Sequence, residues 1–211
     1  MVRGSIFSSS ALFYPPVPSP LIMDTIEGIS IGIALSAACG FRIFIPPLVM
    51  SIAAIFGHLP LASGFAWMGT YPALIAFAVA TVVEVGAYYI PLVDHLLDTI
   101  ATPTAIAIGT AITAAFLPDT DPLLKWTLAA IAGGGTAGTI QGLTGLARMS
   151  STALTIGLGN SVVATIESFG AFVLSVLAIV LPFLAVSLAV VLIVVSSSKL
   201  IQVFYSKKQV E

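Results

Sequence analysis

Long apolar runs follow one another along most of the chain, and short polar or proline-containing segments separate them. A helix that crosses a membrane needs about 20 mostly apolar residues, because hydrocarbon stabilises only a backbone whose hydrogen bonds are satisfied internally. The pattern therefore predicts about six membrane-spanning helices. The predicted spans are 26–45, 72–100, 104–116, 123–147, 161–180 and 183–203.

Prolines predict interruptions in the first two spans. Pro46 and Pro47 follow the first span, and a half-length apolar segment, 48–56, continues after them. Since proline lacks the backbone donor and clashes with the preceding turn, we expect a kink or break at this pair. The second span has 29 residues and would reach about 43 Å, more than the roughly 30 Å hydrocarbon core. It is therefore expected to tilt, to project from the membrane, or to bend at Pro91.

Composition excludes a water-soluble globule. Hydrophobic residues make up 58% of the chain and charged residues 8%, against roughly 25% charged residues in ordinary soluble domains, and the mean hydropathy is +1.13. A nucleic-acid-binding protein would need a basic stripe, which the sequence lacks. Cys39 is the only cysteine, so no intrachain disulfide forms. The expected class is an all-α, polytopic membrane helix bundle whose partner is the lipid bilayer. No cofactor is predicted, and the oligomeric state is not indicated.

The chain divides into three regions. Residues 1–22 are rich in serine and proline and contain no apolar run long enough to cross a membrane. They are predicted to be a disordered tail rather than a signal peptide, because serines interrupt the apolar region and no small-residue cleavage site follows. Met23 is an alternative start. Residues 23–205 are predicted to form a single transmembrane domain, and 206–211 a short cytoplasmic tail.

Six spans would put both termini on one side of the membrane. Lys125 would lie alone on the opposite side, and the positive-inside rule then makes both termini cytoplasmic. The basic residues on the cytoplasmic side would be Arg3, Arg148, Lys199, Lys207 and Lys208.

Three spans precede Asp119 and three follow it, which suggests an internal repeat. An offset of 99 residues aligns 36–51 with 135–150, and a shorter offset brings Glu84 and Glu167 near register. Two halves with three spans each would be oppositely oriented, as in the inverted repeats of many transporters. Small-residue membrane helices also resemble one another by composition alone, so both explanations stay open.

Ionisable residues at membrane depth are costly, so each is expected to have a partner or a function. Five residues of the second span, Glu84, Tyr88, Pro91, His95 and Asp98, follow at intervals of four and three, which keeps to one face of a helix. This face is consistent with a cation or proton path, and equally with an ion-pair network that involves Arg42 and Arg148. The predicted polar core comprises Arg42, Glu84, Tyr88, Asp94, Asp98, Gln141, Arg148, Asn160 and Glu167.

Three further motifs have alternative explanations. Asp94, His95 and Asp98 are a weak candidate for a divalent metal site, although a solvated helix end explains them equally well. The segment 133–138 matches the GxGxxG pattern of dinucleotide-binding sites. Such a site requires a preceding strand, which this apolar helical segment lacks, so this interpretation is rejected. The segment 148–160 is either a loop that dips into the protein or, as favoured, an ordinary turn capped by Asn160 or Ser161. Gly-xxx-Gly spacing predicts helix packing at Gly134, Gly138 and Gly142.

Four segments of the chain resemble a known family. They are AACGFRIFIP at 37–46, EVGAYYIPLVDHLLD at 84–98, the glycine-rich 133–138 and GLGNSVVATIE at 157–167. Together they resemble an integral-membrane family of bacteria, notably cyanobacteria, called domain of unknown function forty-one twenty-six. The resemblance covers about 23–203 and implies a bacterial cytoplasmic membrane protein, but it implies no activity.

The ionisable residues at membrane depth predict a small-solute or ion transporter or channel. Glu84 and Glu167 are expected near the midplane, with Arg42 as the nearest counter-charge. The alternative is a non-transporting membrane scaffold or assembly factor in which the same charges form buried ion pairs. Enzymatic activity is not predicted, because no nucleophile is accompanied by a recognisable base. The two hypotheses differ in whether the charged side chains line a cavity or contact one another in a closed core.

Overall fold

The computed structural model describes residues 20–57, 59–119, 121–155 and 159–208. Within these ranges the fold is all-α, as predicted, and no strand is present. Residues 1–19 of the predicted tail lie outside the described ranges, and 20–22 belong to the first helix. The helices are α1 Pro20–Cys39, α2 Ile45–Phe56, α3 Tyr71–Ala87, α4 Pro91–Phe116, α5 Pro122–Ala129, α6 Gly135–Thr155, α7 Asn160–Val180 and α8 Pro182–Lys208. A 3-10 helix, Ser63–Gly69, precedes α3, and a π-helical turn, Ala130–Gly134, joins α5 to α6.

Helices α1 and α2 form a hairpin that enters and leaves the bundle at the same end. A Cβ on Gly28 would lie 3.1 Å from the carbonyl oxygen of Phe116, and Ser36 Oγ donates to the carbonyl of Gly109 at 2.7 Å. Helix α1 therefore runs antiparallel to α4. Gly57, just after α2, lines the same cavity of about 740 Å³ as Gly28 and Asp119. We call this end of the molecule the Asp119 end.

The hairpin turns at 40–44, before the proline pair rather than at it. Pro46 and Pro47 lie in the first turn of α2, where a helix leaves its N–H groups unpaired in any case. The predicted break is therefore present, but it lies at 40–44, just before the prolines, which begin the second helix. A Cβ on Gly40 would lie 2.5 Å from Cβ of Ile140, so the close approach to α6 requires a glycine.

The predicted second span is two helices, and its single polar face does not exist. Helix α3 ends at Ala87, and α4 begins at Pro91 and includes Pro103. Of the three possibilities for this span, the bend at Pro91 is therefore the one observed, as a complete break. The predicted third span, 104–116, is the second part of α4 rather than a separate helix.

The second half of the chain follows the predicted spans more closely. Helical structure is continuous from Pro122 to Thr155, and α7 and α8 begin within one residue of their predicted starts. Because α6 extends to Thr155, most of the segment predicted as a loop at 148–160 is helical. Residues 156–158 lie outside the described ranges.

Two helical stretches are long and apolar enough to cross a membrane, namely Leu97–Phe116 and Asn160–Val180. The number rises to three if Ser63–Gly69 and Tyr71–Ala87, which are bent by 68°, form one span. Large apolar side chains cover the outside, and Val82, Leu123 and Phe169 are each at least 70% exposed. An exterior of this kind fits a lipid environment better than water. The count of six spans and the inverted repeat stay predictions.

Helix α1 is the centre of the bundle and packs against α4, α6, α7 and α8. Residues 34–39 of this helix are fully buried, and all of them except Leu35 are small, which allows the helices to approach closely. Ser36 shows how close this packing is, since its hydroxyl also bonds to Thr113 Oγ1 at 2.9 Å.

Two of the three predicted packing glycines lie against α4. A Cβ on Gly134 would lie 3.2 Å from the carbonyl oxygen of Ile106, and one on Gly138 would lie 2.7 Å from Cγ1 of the same residue. Around Gly142 nothing lies within 4 Å of such a Cβ. The packing interpretation thus fits Gly134 and Gly138 and is wrong for Gly142.

We expect Gly133→Ala to destabilise the protein. The new Cβ would lie 2.5 Å from the carbonyl oxygen of Gly109 and would overlap Thr113 Oγ1, so α4 and the π-helical turn must move apart. Overpacking of this kind costs about 1–3 kcal/mol. Gly142→Ala in the same helical stretch is the matched control, and we expect it to be neutral or to stabilise by up to about 1 kcal/mol. Thermal unfolding in detergent measures both, and equal melting temperatures would contradict this packing.

Candidate functional site: a buried charge cluster beside an apolar cavity

Two arginines lie buried inside the bundle and share one aromatic partner. Arg42 belongs to the hairpin turn and Arg148 to α6, and they are 0% and 1% exposed. Their guanidinium carbons lie 3.9 and 4.3 Å from the centroid of the Tyr88 ring. Tyr88 follows the last residue of α3 and is itself buried. Contacts between a cation and an aromatic face are strongest where water is excluded, as here.

Glu167 of α7 pairs with both arginines. Its Oε2 lies 2.9 Å from Arg148 Nη2 and 3.4 Å from Arg42 Nη2, and its Oε1 accepts from Arg148 Nε at 3.1 Å. Arg42 Nη2 also donates to the carbonyl of Ala164 at 3.0 Å. A buried charge is costly unless it is paired and hydrogen-bonded. Glu167 therefore provides the charge that permits two buried arginines.

Asp98 connects this cluster to the surface. Its carboxylate accepts a hydrogen bond from Arg148 Nη1, and its side chain is 24% exposed, more than any other member. We call Arg42, Tyr88, Asp98, Arg148 and Glu167 the charge cluster. Tyr88 and Asp98 come from the predicted polar face, Arg42 and Arg148 from the alternative ion-pair network, and Glu167 from the rest of the predicted polar core. The structure brings these sets together.

Glu84 lies beside the charge cluster and binds the hairpin turn. Its Oε1 accepts from the backbone N–H of Ile43 at 2.8 Å, and its Oε2 from that of Phe44 at 3.0 Å. A carboxylate is favourable here because α2 begins at the next residue and its N-terminus carries a partial positive charge. Within the described part of the chain no Lys or Arg nitrogen lies within 4 Å of this carboxylate. Glu84 therefore forms no direct ion pair with Arg42, which acts on its carboxylate as a counter-charge from beyond 4 Å.

The two amide residues of the predicted polar core, Gln141 and Asn160, make hydrogen bonds to residues outside the charge cluster. Gln141 is buried on α6, and its carbonyl accepts from Thr144 Oγ1 at 3.0 Å. Asn160 Nδ2 donates to Thr152 Oγ1 at 2.9 Å, which joins the end of α6 to the start of α7. Asn160 does not cap α7, because Gly159 is the N-cap residue and no side chain bonds there. The favoured capping interpretation is thus wrong.

The candidate metal site cannot be assembled from the described side chains. Asp94 and His95 lie on α4, but their side chains, like all of His58, are outside the described residues. Among the side chains that are described, no group of three His, Cys, Asp or Glu is arranged to hold a metal ion. The site with Asp98 stays a prediction.

A mostly apolar cavity of about 430 Å³ lies between α3 and α4, next to the charge cluster. The hairpin turn contributes Ile43 and Phe44 to its wall, and the polar members of the wall are Glu84, Tyr88 and Thr104. The aliphatic part of the wall consists of Ala76, Val79, Ala80, Val83, Ala87, Leu97, Ile100 and Ala101. Glu84 therefore contacts the turn and lines the cavity at once.

Sequence reasoning missed the role of the turn. The partners of Glu84 are backbone groups, which no residue spacing reveals. A signal for the turn was nevertheless present, because two prolines are also typical of the first turn of a helix. Read in that way, Pro46 and Pro47 predict a new helix and a turn just before it.

One further ion pair lies at the Asp119 end. Lys125 Nζ donates to Asp119 Oδ1 at 2.8 Å, and Ser63 Oγ donates to Asp119 Oδ2 at 3.1 Å. The hydrogen bond from Lys125, and then that from Ser63, hold the pKa of Asp119 below its ordinary value. Asp119 is thus ionised at neutral pH, and since its side chain is 61% exposed, solvent screens the pair.

We expect Glu167→Gln to destabilise the protein by about 3–5 kcal/mol, because it leaves two buried guanidinium groups without their shared carboxylate. Asp119→Asn is the matched control, and we expect a much smaller loss of stability, because the Asp119 side chain is 61% exposed to solvent. Denaturant unfolding of both variants in mild detergent makes the comparison. A Glu167→Gln variant as stable as Asp119→Asn would show that the buried pairs do not hold the bundle together.

Comparison with known proteins assigns the chain to a family. The matching family model is described as Domain of unknown function (DUF4126) and covers residues 29–200. That range includes the hairpin turn, the charge cluster and the cavity. Neither a protein of curated function nor a solved structure matches the chain. The chain therefore belongs to the DUF4126 family of domains of unknown function.

Proposed function

We propose that this protein is a membrane transporter or channel for a small solute or ion, and that the hairpin turn, Glu84 and the charge cluster form its central site. The observation that carries the proposal is a non-helical turn that lies inside a helix bundle next to buried charges. At membrane depth such backbone occurs where protein or a water-filled cavity surrounds it. Many transporters bind their substrates at discontinuous helices of this kind.

Helix lengths support a site within the bilayer. Glu167 lies seven residues after Asn160 and thirteen before Val180 on α7, which is about 10 and 20 Å at 1.5 Å per residue. Glu84 lies thirteen residues after Tyr71, again about 20 Å along its helix. Both carboxylates thus lie about 20 Å along their helices from the Asp119 end, a depth that supports a site within the bilayer, and a position at the midplane stays a prediction.

The proposed topology has five crossings and one hairpin that does not cross. The crossings are α3, α4, the continuous stretch from α5 to α6, α7 and α8. Lys199, Lys207 and Lys208 lie toward the far end of α8, so the positive-inside rule makes the C-terminal end cytoplasmic. The Asp119 end, where α1 begins, is then on the opposite side.

A membrane scaffold is the second candidate function. It is favoured by the charge cluster, whose innermost members are buried and paired within the protein. Arg42, Arg148 and Glu167 are each at most 5% exposed, and both arginines pair directly with Glu167. Arg42 argues against a purely structural role of the ion pairs, because its Nε and Nη1 have no hydrogen-bond partner in the described part of the chain. Purely structural pairs usually satisfy all their buried donors.

Flux through reconstituted vesicles separates the two functions. Purified protein in sealed liposomes is assayed for proton, rubidium and chloride movement under an imposed gradient. We expect a flux of at least one of these ions above that of protein-free vesicles. Glu84→Gln, which keeps the shape and removes the charge, is expected to reduce this flux to the protein-free rate, because among the described side chains it removes the carboxylate of the site that has no directly bonded cation.

Asp119→Asn is the control for this experiment, since it removes a carboxylate far from the site and should leave the flux unchanged. If none of the three ions moves faster than in protein-free vesicles, ion transport is refuted and the scaffold function is favoured. An equal loss of flux in both variants would refute the central role of Glu84.

A further inference from the structure

The cavity between α3 and α4 has the composition of a binding site for a specific class of molecule. We propose that it binds a hydrophobic organic cation, with Glu84 as the counter-charge. This inference rests on the proposed function and names the substrate class of the same site. It follows from the charge balance of the site, the cavity wall and the position of the cavity.

The charge balance leaves one carboxylate available. Arg42 and Arg148 are matched by Glu167 and Asp98, to which they are bonded directly. Glu84 is bonded directly only to two neutral backbone donors, and Arg42 and Arg148 act on its charge only from beyond 4 Å. The carboxylate that lines the cavity is thus the one to which no cation of the described residues is bonded directly.

The cavity wall favours an apolar ligand over a bare ion. A volume of about 430 Å³ lies in the range of about 300–1,000 Å³ that is typical of small-molecule sites. A hard metal cation takes six or more oxygen ligands, and this wall offers side-chain oxygens from only Glu84, Tyr88 and Thr104. An organic cation instead buries its apolar groups against the aliphatic residues and places its charge near Glu84.

The same wall disfavours an anionic amphiphile. The head group of a fatty acid or a lipid phosphate would meet the carboxylate of Glu84 at the polar end of the cavity. Two like charges at short distance in a low-dielectric site repel strongly. Only a cation, or a molecule that binds in its cationic form, neutralises the Glu84 carboxylate at the polar end of the cavity.

The cavity lies at the edge of the bundle, where a hydrophobic cation can enter. Val79 and Val83 of α3 line it and are also 58% and 64% exposed. In a bilayer these outward side chains contact lipid, into which hydrophobic cations partition. We therefore expect entry from the lipid between α3 and α4.

Two isosteric ions of opposite charge test the proposal. Tetraphenylphosphonium and tetraphenylborate have the same shape, and equilibrium dialysis against the purified protein in detergent micelles measures the binding of each. We expect saturable binding of the phosphonium and none of the borate. Glu84→Gln should weaken phosphonium binding at least about tenfold, equivalent to about 1.4 kcal/mol, whereas Asp119→Asn should bind as the unmodified chain does.

A second variant keeps the test decisive if Glu84→Gln fails to fold. Ala80→Leu adds volume to the cavity wall without changing any charge, and we expect it to weaken phosphonium binding as well. Saturable binding of the borate, or phosphonium binding that neither variant weakens, would overturn the proposal. Phosphonium binding by a protein that moves none of the three assayed ions across vesicles would retain this site and refute ion transport. Ion flux without phosphonium binding would refute this site and leave the proposed function standing.

Discussion

The turn between α1 and α2 needs hydrogen-bond acceptors for its backbone N–H groups, and the surrounding structure supplies them. Residues 40–44 leave the helical conformation inside the bundle, so their backbone N–H groups need other acceptors. The carbonyls of Ala37 and Ala38 accept from the first three of these groups, and the carboxylate of Glu84 accepts from the last two. All five N–H groups are thereby paired. Glu84 is buried because the turn needs it, and α3 lies where it does because it carries Glu84.

The same turn brings a positive charge into the bundle, and the charge cluster follows from it. Arg42 requires a carboxylate, which Glu167 supplies, and Arg148 and Asp98 complete the balance. The break between α3 and α4 places Tyr88 against both guanidinium groups. Under the proposed function, Glu84 links the cavity to the turn, since a cation bound in the cavity competes with Ile43 and Phe44 for the same carboxylate oxygens.

The sequence predicted the helix class and the second half of the fold, because long apolar runs there are separated by clear polar or proline breaks. In the first half, Pro46 and Pro91 predicted a kink, a bend or a break, and the structure has a complete break before each, so that each lies in the first turn of a new helix. A proline can lie at a kink within a helix or in the first turn of a new helix, and its neighbours in sequence do not show which of the two occurs. Because charged residues are rare in this chain, the sequence identifies Arg42, Glu84 and Glu167 as unusual. It does not identify their partners, which lie on distant segments or on the backbone.

The side of the membrane on which α1 begins tests the hairpin most directly. Single cysteines at Thr25, Ser63 and Ser198, each in a Cys39→Ala background, are labelled in sealed vesicles with a thiol reagent that does not cross membranes. Thr25 and Asp119 line one cavity at the same end of the bundle, and Ser63 bonds to Asp119. The account predicts that the cysteines at 25 and 63 react from one side and the cysteine at 198 from the other. Labelling at 25 and 63 from opposite sides would mean that α1 crosses the membrane once, and would contradict the hairpin.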